Sequence, residues 1–337
     1  MTIGDKQYLF CKVSWDINGD PRGLRYGTNP HQTAAMYVPE DRKRRFLAAT
    51  TWKKWGKNGP SATNIEDGYR ALRIVSYFDK ATVAVMKHLN PTGVGISYRD
   101  ENADAFEKAW SGDPRAAYGS TIGFNSYVDK ETAEKIVQRY VECLFAPSYS
   151  PSALKVLQQK VNLRVAEVPD INKLGSELFP HEIKVLGNSV ILEQTFATKI
   201  KSLSDLKSCR CATKRKPEKQ EIWNMLCSWW VCSEKRSNGV VIWRDDRALA
   251  VGTGQQDRIG AIEIALERAK RVGHSLDGSA LASDGFMLQD NIEPLAKVGV
   301  TSIIQPGGSR YDENVIEQCE KYDISMLFTG ERVFRHF

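Results

Sequence analysis

The sequence predicts an α/β fold, and three observations support this class. From about residue 60, segments with helical periodicity alternate with short apolar runs of strand length. Several of these runs are continuously apolar, which is typical of strands covered on both faces. The chain has 337 residues, 42% hydrophobic and 26% charged, the composition of an ordinary globular protein with room for two domains or lobes. We therefore expect a mostly parallel sheet between layers of helices.

The first predicted elements lie between residues 60 and 142. Ile65, Tyr69 and Leu72 recur at helical spacing and predict a helix. The apolar run 82–86 follows it and predicts a buried strand, and residues 131–142 predict a second helix.

The second half of the chain alternates more clearly. Residues 220–235 predict a helix whose tryptophan-rich apolar stripe is more typical of core packing than of a ligand site. Beyond it the pattern predicts, in order, strand 240–243, a turn at 245–246, strand 248–251, helix 257–272, strand 280–282, helix 291–298, strand 301–304, helix 313–321 and strand 325–329.

A basic, serine-containing stretch separates these two regions. We predict a first lobe over residues 1–200, a basic linker over 201–219 and a second lobe over 220–337. The pentamer TKRKP at 213–217 could be a nuclear or nucleic-acid signal, but it has no interleaved aromatic residues, so a solvated linker is favoured.

Charge and hydropathy narrow the classes of partner. Lys and Arg number 47 against 41 Asp and Glu, a net charge of +6 that suits small anionic ligands better than nucleic acid. The first residues have no basic region leading into an apolar run, and no apolar run approaches the roughly 20 residues of a membrane span. We expect a cytoplasmic protein with neither nucleic acid nor membrane as partner.

The cysteines and histidines argue against a metal site. Seven scattered cysteines do not suggest a disulfide framework. The spacings Cys209-x-Cys211 and Cys227-x4-Cys232 do not match paired zinc knuckles, and a thiol in an apolar helix is commonly a small hydrophobic residue. No H-x-E and no P-C-x-x-C occurs, which disfavours zinc-dependent deamination.

The adjacent Lys87 and His88 are the strongest candidates for chemistry. They follow a buried strand and precede Asn90-Pro91 and Gly93, which predict a rigid turn. A lysine can stabilise an oxyanion and a histidine can act as a base near neutral pH, as acyl or formyl transfer requires. Strand neighbours point to opposite faces, so the pair shares a site only if the strand breaks there, and a chance surface pair is the alternative.

Two glycine-containing strings could bind anions. GTGQQD at 252–257 follows a strand and opens a helix, so its backbone could hold a phosphate, although it lacks the third glycine of a dinucleotide motif and a plain turn is equally consistent. In LRYGTNPHQ at 24–32, Arg25 has the fork geometry that suits phosphate, and a surface turn is the alternative.

Ten strings in order resemble the formyltransferase half of the AICAR transformylase/IMP cyclohydrolase family, AICAR being phosphoribosylaminoimidazolecarboxamide. They are LRYGTNPHQ at 24–32, MKHLNPTGVG at 86–95, AAYGSTIGFN at 116–125, APSYSPSALKVLQQKVNLRV at 146–165, TKRKP at 213–217, SNGVVIW at 237–243, GTGQQDRI at 252–259, LASDGFMLQDNI at 281–292, IIQPGGSRYDENVI at 303–316 and FTGERVFRH at 328–336.

The resemblance implies transfer of a formyl group from 10-formyltetrahydrofolate to the 5-amino group of AICAR in purine biosynthesis. It implies that His88 is the base and that Lys87 assists formyl transfer. It also places Asn238 and His336 at the catalytic centre. The positions it implies for AICAR are Arg25, Tyr26, Lys87, His88, Gly119, Glu142, Asn238 and Arg258. The positions it implies for the folate are Ile259, Phe286, Asp290, Ser309, Arg310 and Arg332.

The resemblance also carries expectations about architecture and partners. It implies two cytidine-deaminase-like α/β/α lobes without the deaminase zinc, and a homodimer whose active sites are completed across the interface. 10-Formyltetrahydrofolate is then a co-substrate, no catalytic metal is expected, and a structural monovalent cation remains an option.

Two departures from the family pattern limit these expectations. LRYGTNPHQ begins after only 23 residues, so we expect IMP to be formed by a separate cyclohydrolase. The string GKNGPSATN at 56–64 and Ser120 differ from common family residues, which leaves open an acceptor that is a related aminoimidazole or aminopyrazole nucleotide. A silent nucleotide- or folate-binding relative is the remaining alternative, although Lys87, His88 and Asn238 are all retained together with Asp290 and Arg332.

Overall fold

A computed structural model describes residues 2–3, 6–43, 45–174 and 178–336. Within these residues the strands are β1 (Thr2–Ile3), β2 (Lys6–Gln7), β3 (Phe10–Lys12), β4 (Trp15–Ile17), β5 (Asp20–Arg22), β6 (Tyr37–Pro39), β7 (Thr51–Lys54), β8 (Ala81–Lys87), β9 (Asn90–Ser97), β10 (Ser120–Phe124), β11 (Val141–Ala146), β12 (Arg164–Glu167), β13 (His181–Leu186), β14 (Ser189–Gln194), β15 (Arg210–Cys211), β16 (Val240–Arg244), β17 (Arg247–Gly252), β18 (Ser279–Ser283), β19 (Val300–Gln305) and β20 (Ser325–Phe328). The α-helices are α1 (Ala62–Val75), α2 (Asn102–Ser111), α3 (Lys130–Val137), α4 (Pro151–Leu157), α5 (Lys219–Cys232), α6 (Arg258–Val272), α7 (Ile292–Lys297) and α8 (Asp312–Lys321). Short 3-10 helices span Glu40–Arg42, Phe46–Ala49, Ile171–Lys173, Asp205–Ser208 and Gln289–Asn291.

A single 12-stranded sheet organises the molecule, in the order β15-β20-β19-β18-β16-β17-β9-β8-β10-β11-β12-β7. The fold is α/β, as predicted, but the expectation of a mostly parallel sheet is wrong. Among the described residues of this sheet, only β10-β11, β11-β12, β18-β19 and β19-β20 pair in parallel. The hairpins β8-β9 and β16-β17 and the edge strands β7 and β15 are antiparallel to their neighbours, so the sheet is mixed.

Each half of the sheet repeats one order of elements. The first half runs α1-β8-β9-α2-β10-α3-β11-α4-β12, and the second runs α5-β16-β17-α6-β18-α7-β19-α8-β20. The halves meet where β9 pairs with β17, at Gly95 opposite Arg247. The lobe boundaries 1–200 and 220–337 remain a prediction, and the predicted linker 201–219 contains β15, which belongs to the sheet.

Helices cover both faces of the sheet. α1 and α5 pack on one face, where a core cluster runs across both halves. The other helices pack on the opposite face, α2, α3 and α4 over the first half and α6, α7 and α8 over the second. In α5, Trp229 and Trp230 are buried in the core, and Trp230 packs edge-on against Phe78 with ring centroids 5.0 Å apart. The tryptophan stripe is therefore core packing, as predicted.

Two predicted elements differ from the structure. The helix expected over 131–142 ends at Val137, because the apolar run Val141–Ala146 is the parallel strand β11. The turn expected at 90–93 is the start of β9. Pro91 fits in this strand because the register with β8 shifts between Val85 and Met86, and a bulge tolerates a residue without an amide hydrogen.

A buried carboxylate just after α5 ties the two halves together. Glu234 is fully buried and forms ion pairs with Arg73 and, at 3.4 Å each, with Arg70 and Arg335. The Tyr77 hydroxyl donates to it at 3.1 Å. Burial alone would raise the pKa of Glu234, but the charges of Arg73, Arg335 and Arg70 outweigh it and hold the pKa at about 2.

Other general features concern the cysteines, metals and membranes. All seven cysteines are free thiols. Within the described residues, no three His, Cys, Asp or Glu side chains come together as a metal-binding group. None of the helices in this part of the chain has both the length and the apolarity to cross a bilayer.

We expect Glu234→Gln to lower the free energy of unfolding by about 3–5 kcal/mol, because it leaves buried arginine charge uncompensated. Urea denaturation followed by circular dichroism measures the change. Glu134→Gln is the control, since Glu134 pairs with Lys130 on the surface, where a salt bridge contributes less than about 1 kcal/mol. Equal shifts for the two variants would contradict the role assigned to Glu234.

Candidate active site

The hairpin β8-β9 presents the two principal candidates at its tip. β8 ends at Lys87, and His88 and Leu89 form the two-residue turn with φ of 52° and 65°. Positive φ at both turn positions is usual in tight hairpins but is normally supplied by Asn-Gly. For histidine and leucine this conformation is strained and has to be held by the surrounding structure. His88 is exposed and Lys87 is partly buried, so the strand does break where a common site requires it.

A carboxylate from α1 holds this turn. Asp67 is buried, and it accepts the amide hydrogens of Leu89 at 2.6 Å and of His88 at 3.3 Å. Burial raises the pKa of Asp67 to about 6, although these two hydrogen bonds and the charge of Lys87 act in the opposite direction. Sequence reasoning missed Asp67, because its partners lie more than twenty positions away in the chain.

Lys87 meets the other first-half candidates at the ends of neighbouring strands. Its Nζ donates to the carbonyl oxygen of Gly119 at 2.6 Å. Gly119 has a φ of 68°, and a Cβ at that position would lie 3.0 Å from Lys87 Nζ and 3.5 Å from Glu142 Oε1. The Glu142 carboxylate accepts from Asn64 Nδ2 at 3.2 Å. Lys87, Gly119 and Glu142 are therefore brought together, with Asn64 as a fourth member.

The position of Asn64 is encoded in a helix-capping pattern of the sequence. Asn64 is the third residue of α1, and together with Ser61 it forms a capping box in which each side chain accepts the other's amide hydrogen at 3.2 Å. The string S-x-x-N at 61–64 predicts such a cap. Because the cap fixes the Oδ1 of Asn64, its Nδ2 is directed to Glu142.

Arg25 and Tyr26 pack beside the start of α1. The Arg25 amide donates to Pro60 O at 2.8 Å, and the Tyr26 carbonyl accepts from the Ala62 amide at 2.9 Å. The Arg25 guanidinium lies 4.3 Å from the Tyr26 ring centroid and donates to the carbonyl oxygen of Lys57 at 3.3 Å. Its Nε is buried and has no protein partner. The guanidinium lies next to the N-terminus of α1, where an anion is favoured.

Arg164 is a further residue that the sequence analysis did not assign. This buried arginine donates to Gly59 O at 2.5 Å, to Lys57 O at 3.1 Å and to Glu142 O at 3.4 Å. It therefore joins the loop that departs from the family pattern to the strand that carries Glu142.

The second-half candidates are centred on Arg258, the first residue of α6. Its guanidinium donates to Asn238 Oδ1 at 3.1 Å and to Gly239 O at 2.9 Å, and it forms a 2.5 Å ion pair with Asp284. Gly285 permits this packing, because a Cβ there would lie 2.7 Å from both Arg258 and Phe334. Asn238 and Arg258 are thus in direct contact, and Asp284 was missed by the sequence analysis.

The remaining candidates lie on the surface of the second half. The Arg332 guanidinium lies 4.6 Å from the Phe334 ring centroid, and the exposed His336 ring is 5.7 Å from the same ring. Ile259 follows Arg258 and is partly buried, and Phe286 is 48% exposed.

Asp290 lines a surface cavity, and Ser309 and Arg310 contact another lining residue, Tyr311. Asp290 and Tyr311 line a cavity of about 400 Å³. The Arg310 guanidinium stacks on Tyr311 at 4.6 Å, and Ser309 Oγ accepts the Tyr311 amide hydrogen at 3.1 Å. This cavity has a cation and an exposed aromatic ring at its edge.

Within one chain the candidates form two groups. We call Arg25, Tyr26, Asn64, Lys87, His88, Gly119 and Glu142 the first-half group, and Asn238, Arg258, Ile259, Phe286, Asp290, Ser309, Arg310, Arg332 and His336 the second-half group. In the part of the chain that the structure describes, no hydrogen bond or ion pair joins the two groups directly. A hydrogen bond between the two halves lies close to the hairpin tip in sequence: the Asn90 side-chain oxygen accepts the Arg236 amide hydrogen at 3.0 Å.

The similarity to a solved structure is weak. That structure is a diaminohydroxyphosphoribosylaminopyrimidine deaminase/5-amino-6-(5-phosphoribosylamino)uracil reductase of Thermotoga maritima, at 19% identity, with 28% of this chain and 31% of that chain covered and a TM-score of 0.21. A similarity at this level supports no conclusion about fold or function.

Comparison of the amino-acid sequence with those of curated proteins gives much closer similarities. The bifunctional purine biosynthesis protein PurH of Oceanobacillus iheyensis is 38% identical over 316 residues, covering 93% of this chain and 59% of that protein. PurH of Anoxybacillus flavithermus is 37% identical, covering 94% and 59%, and that of Bacillus cereus is 39% identical, covering 93% and 59%. The chain thus spans about three-fifths of the length of these curated relatives. Because the model of the AICARFT/IMPCHase bienzyme family also matches residues 9–268, the chain belongs to that family.

Proposed function

We propose that this protein transfers a formyl group from 10-formyltetrahydrofolate to the 5-amino group of AICAR, giving formyl-AICAR for purine biosynthesis. The observation that carries the proposal is the hairpin tip, where an exposed histidine follows a lysine that contacts Gly119. Membership of the family and relatives named as bifunctional purine biosynthesis proteins support it.

The chemistry requires a base and a cation. The AICAR amine is conjugated with the carboxamide through the imidazole, so it is a weak nucleophile. In the proposed reaction its nitrogen bonds to the formyl carbon while His88 accepts the amine proton, and the bond from that carbon to the folate nitrogen breaks. Lys87 stabilises the charge that develops on the formyl oxygen, and the departing folate nitrogen takes up a proton.

The groups around the hairpin tip supply binding. Arg25, with a buried Nε free for an acceptor, is proposed to bind the nucleotide phosphate. Glu142 and Gly119 are proposed to hold the nucleoside, and Asn238 and Arg258 to complete its site. The residues that we propose for the folate are Ile259, Phe286, Asp290, Ser309, Arg310 and Arg332, with His336 close to the reacting groups.

The separation of these residues into two groups supports a homodimer. A site that needs both groups can be completed when the first-half group of one subunit faces the second-half group of another. We also propose that each half of the sheet is a cytidine-deaminase-like lobe, which the repeated order of elements supports. We further propose that the protein acts in the cytoplasm.

A second acceptor is a specific alternative. The loop at 56–64, which departs from the family pattern, contacts Arg25 through the Lys57 carbonyl. A change beside the proposed phosphate ligand could favour a related aminoimidazole or aminopyrazole nucleotide. Comparing kcat/KM for AICAR with that for such analogues distinguishes the two acceptors.

The product identifies the reaction. Purified protein incubated with AICAR and 10-formyltetrahydrofolate is expected to release tetrahydrofolate and formyl-AICAR in equal amounts, followed by absorbance and chromatography. Ring closure is scored in the same samples by the appearance of IMP. Binding of both substrates without release of tetrahydrofolate would support the silent relative instead.

We expect His88→Ala to lower kcat about 10²–10⁴-fold while AICAR still binds, because removing a positioned base typically has an effect of this size. Steady-state kinetics and calorimetric AICAR binding measure the two quantities. His274→Ala is the matched control, because His274 lies outside both groups and contacts the Ser111 carbonyl. Turnover close to that of the wild type would remove His88 as the base.

We expect Asp67→Asn to lower kcat about tenfold, because the amide keeps only one acceptor oxygen for the two turn amides. It should not reduce stability at pH 8, since the raised pKa of Asp67 means that its ionised form is disfavoured in the folded state. The Asp67 contribution to stability is present below pH ~4 and is lost as pH rises through about 6. Denaturation of both proteins at pH 4 and pH 8 measures the change in stability. An unchanged kcat would exclude the positioning role.

A further inference from the structure

A fully buried ion pair lies directly behind the second-half group. Lys235 Nζ is 2.5 Å from Asp284 Oδ2, and both side chains are completely inaccessible to solvent. Burying an ammonium is costly unless its partners are well placed. The corresponding residue of the first half is apolar: Phe78 is the third residue after α1, as Lys235 is the third after α5. The charge is therefore specific to the half that carries Asn238 and Arg258.

Asp284 connects Lys235 to these two residues. One carboxylate oxygen receives Lys235 and the Ser237 hydroxyl, the latter at 2.6 Å, and the other pairs with Arg258 at 2.5 Å. Burial would raise the pKa of Asp284, but the charges of Lys235 and Arg258 hold it below its usual value. Arg258 in turn donates to Asn238.

This arrangement does not fit the structural monovalent cation that the family resemblance leaves as an option. A cation bound to Asp284 would sit against the Lys235 ammonium and the Arg258 guanidinium. Glu234, the other fully buried carboxylate nearby, already has three arginine partners. Both carboxylates thus have their counter-charge from the protein.

We propose that the ammonium of Lys235 is a built-in counter-ion which takes the role of a bound monovalent cation and, through Asp284, holds Arg258 and Asn238 in position for an anionic nucleotide. Lys235 is a positioning residue, because it acts through Asp284. That the nucleotide is AICAR rests on the proposed function. The charge balance at Asp284 is independent of the proposed function.

Chemical replacement of the ammonium tests this directly. Lys235→Ala removes the charge and leaves space for a small cation. We expect its AICAR dissociation constant to rise about 10–100-fold, because Asp284 loses a buried partner and no longer holds Arg258 and Asn238 in position. Ethylammonium chloride should increase the AICAR affinity of this variant several-fold and raise its Tm, and KCl should do so to a lesser degree. Tetramethylammonium chloride at equal ionic strength should change neither quantity. No cation-specific recovery of binding or Tm would overturn the proposal.

The wild-type protein and two controls complete the experiment. Wild-type AICAR affinity and Tm should be the same in KCl and tetramethylammonium chloride, and a requirement for K⁺ would overturn the proposal. Lys297→Ala removes an exposed lysine and should change neither quantity. If Lys235→Ala does not fold, the neutral pair Lys235→Met with Asp284→Asn should fold, bind AICAR weakly and ignore ethylammonium. Wild-type affinity in that double variant would also overturn the proposal.

The Tm readout separates this inference from the proposed function. Recovery of Tm by ethylammonium in a protein without formyl transfer would leave the counter-ion in place and remove only the proposed reaction. Formyl transfer by the wild type, with no recovery of the Tm of Lys235→Ala by ethylammonium, would support the proposed reaction and remove the counter-ion role of Lys235.

Discussion

The structure depends on the burial of one carboxylate among arginines from both halves of the chain. Glu234 follows α5 and is bound by Arg70 and Arg73 of α1 and by Arg335 near the C-terminus. Its partners therefore come from two segments that are far apart in the chain, and together they balance its charge in the buried site. The next residue, Lys235, carries the opposite charge into a second buried network around Asp284. Two consecutive residues thus join the halves and support the candidate site.

The repeated order of elements gives the halves a common framework with different chemistry. The sixth residue of α1 is Asp67 and the sixth of α5 is Asn224, and each accepts backbone amide hydrogen from the turn of the following hairpin. In the first half that turn carries His88, whereas in the second it carries Asp245. A helix side chain that accepts from a hairpin turn is therefore a feature of the framework. The residues within the turn decide whether it can serve a reaction.

Local pattern was sufficient for most elements because their periodicity is strong. The strand predicted over 82–86 lies inside β8, and the helix predicted over 257–272 is α6, which begins one residue later. Two elements were predicted wrongly because their local sequence pattern is compatible with more than one structure. The apolar spacing predicted over 131–142 runs into the parallel strand β11. Pro91 is accepted in β9 because β9 is bulged next to it, where Val85 and Met86 of β8 oppose Gly93 and Pro91. The mixed sheet could not be foreseen, because strand direction depends on pairing between distant segments.

The sequence by itself determined the α/β class, the family strings and the residue types at the hairpin tip, since these are encoded in contiguous residues. Only the tertiary structure brought Lys87 to Gly119 and Glu142. Only it identified three supports: Asp67 for the turn at His88, Arg164 for the strand that carries Glu142, and Asp284 for Arg258. These supports act on partners far away in the chain, and neither periodicity nor spacing records such contacts. The division into two groups was likewise decided by the fold, which brings Lys87, Gly119 and Glu142 together in the first half and Asn238 and Arg258 together in the second.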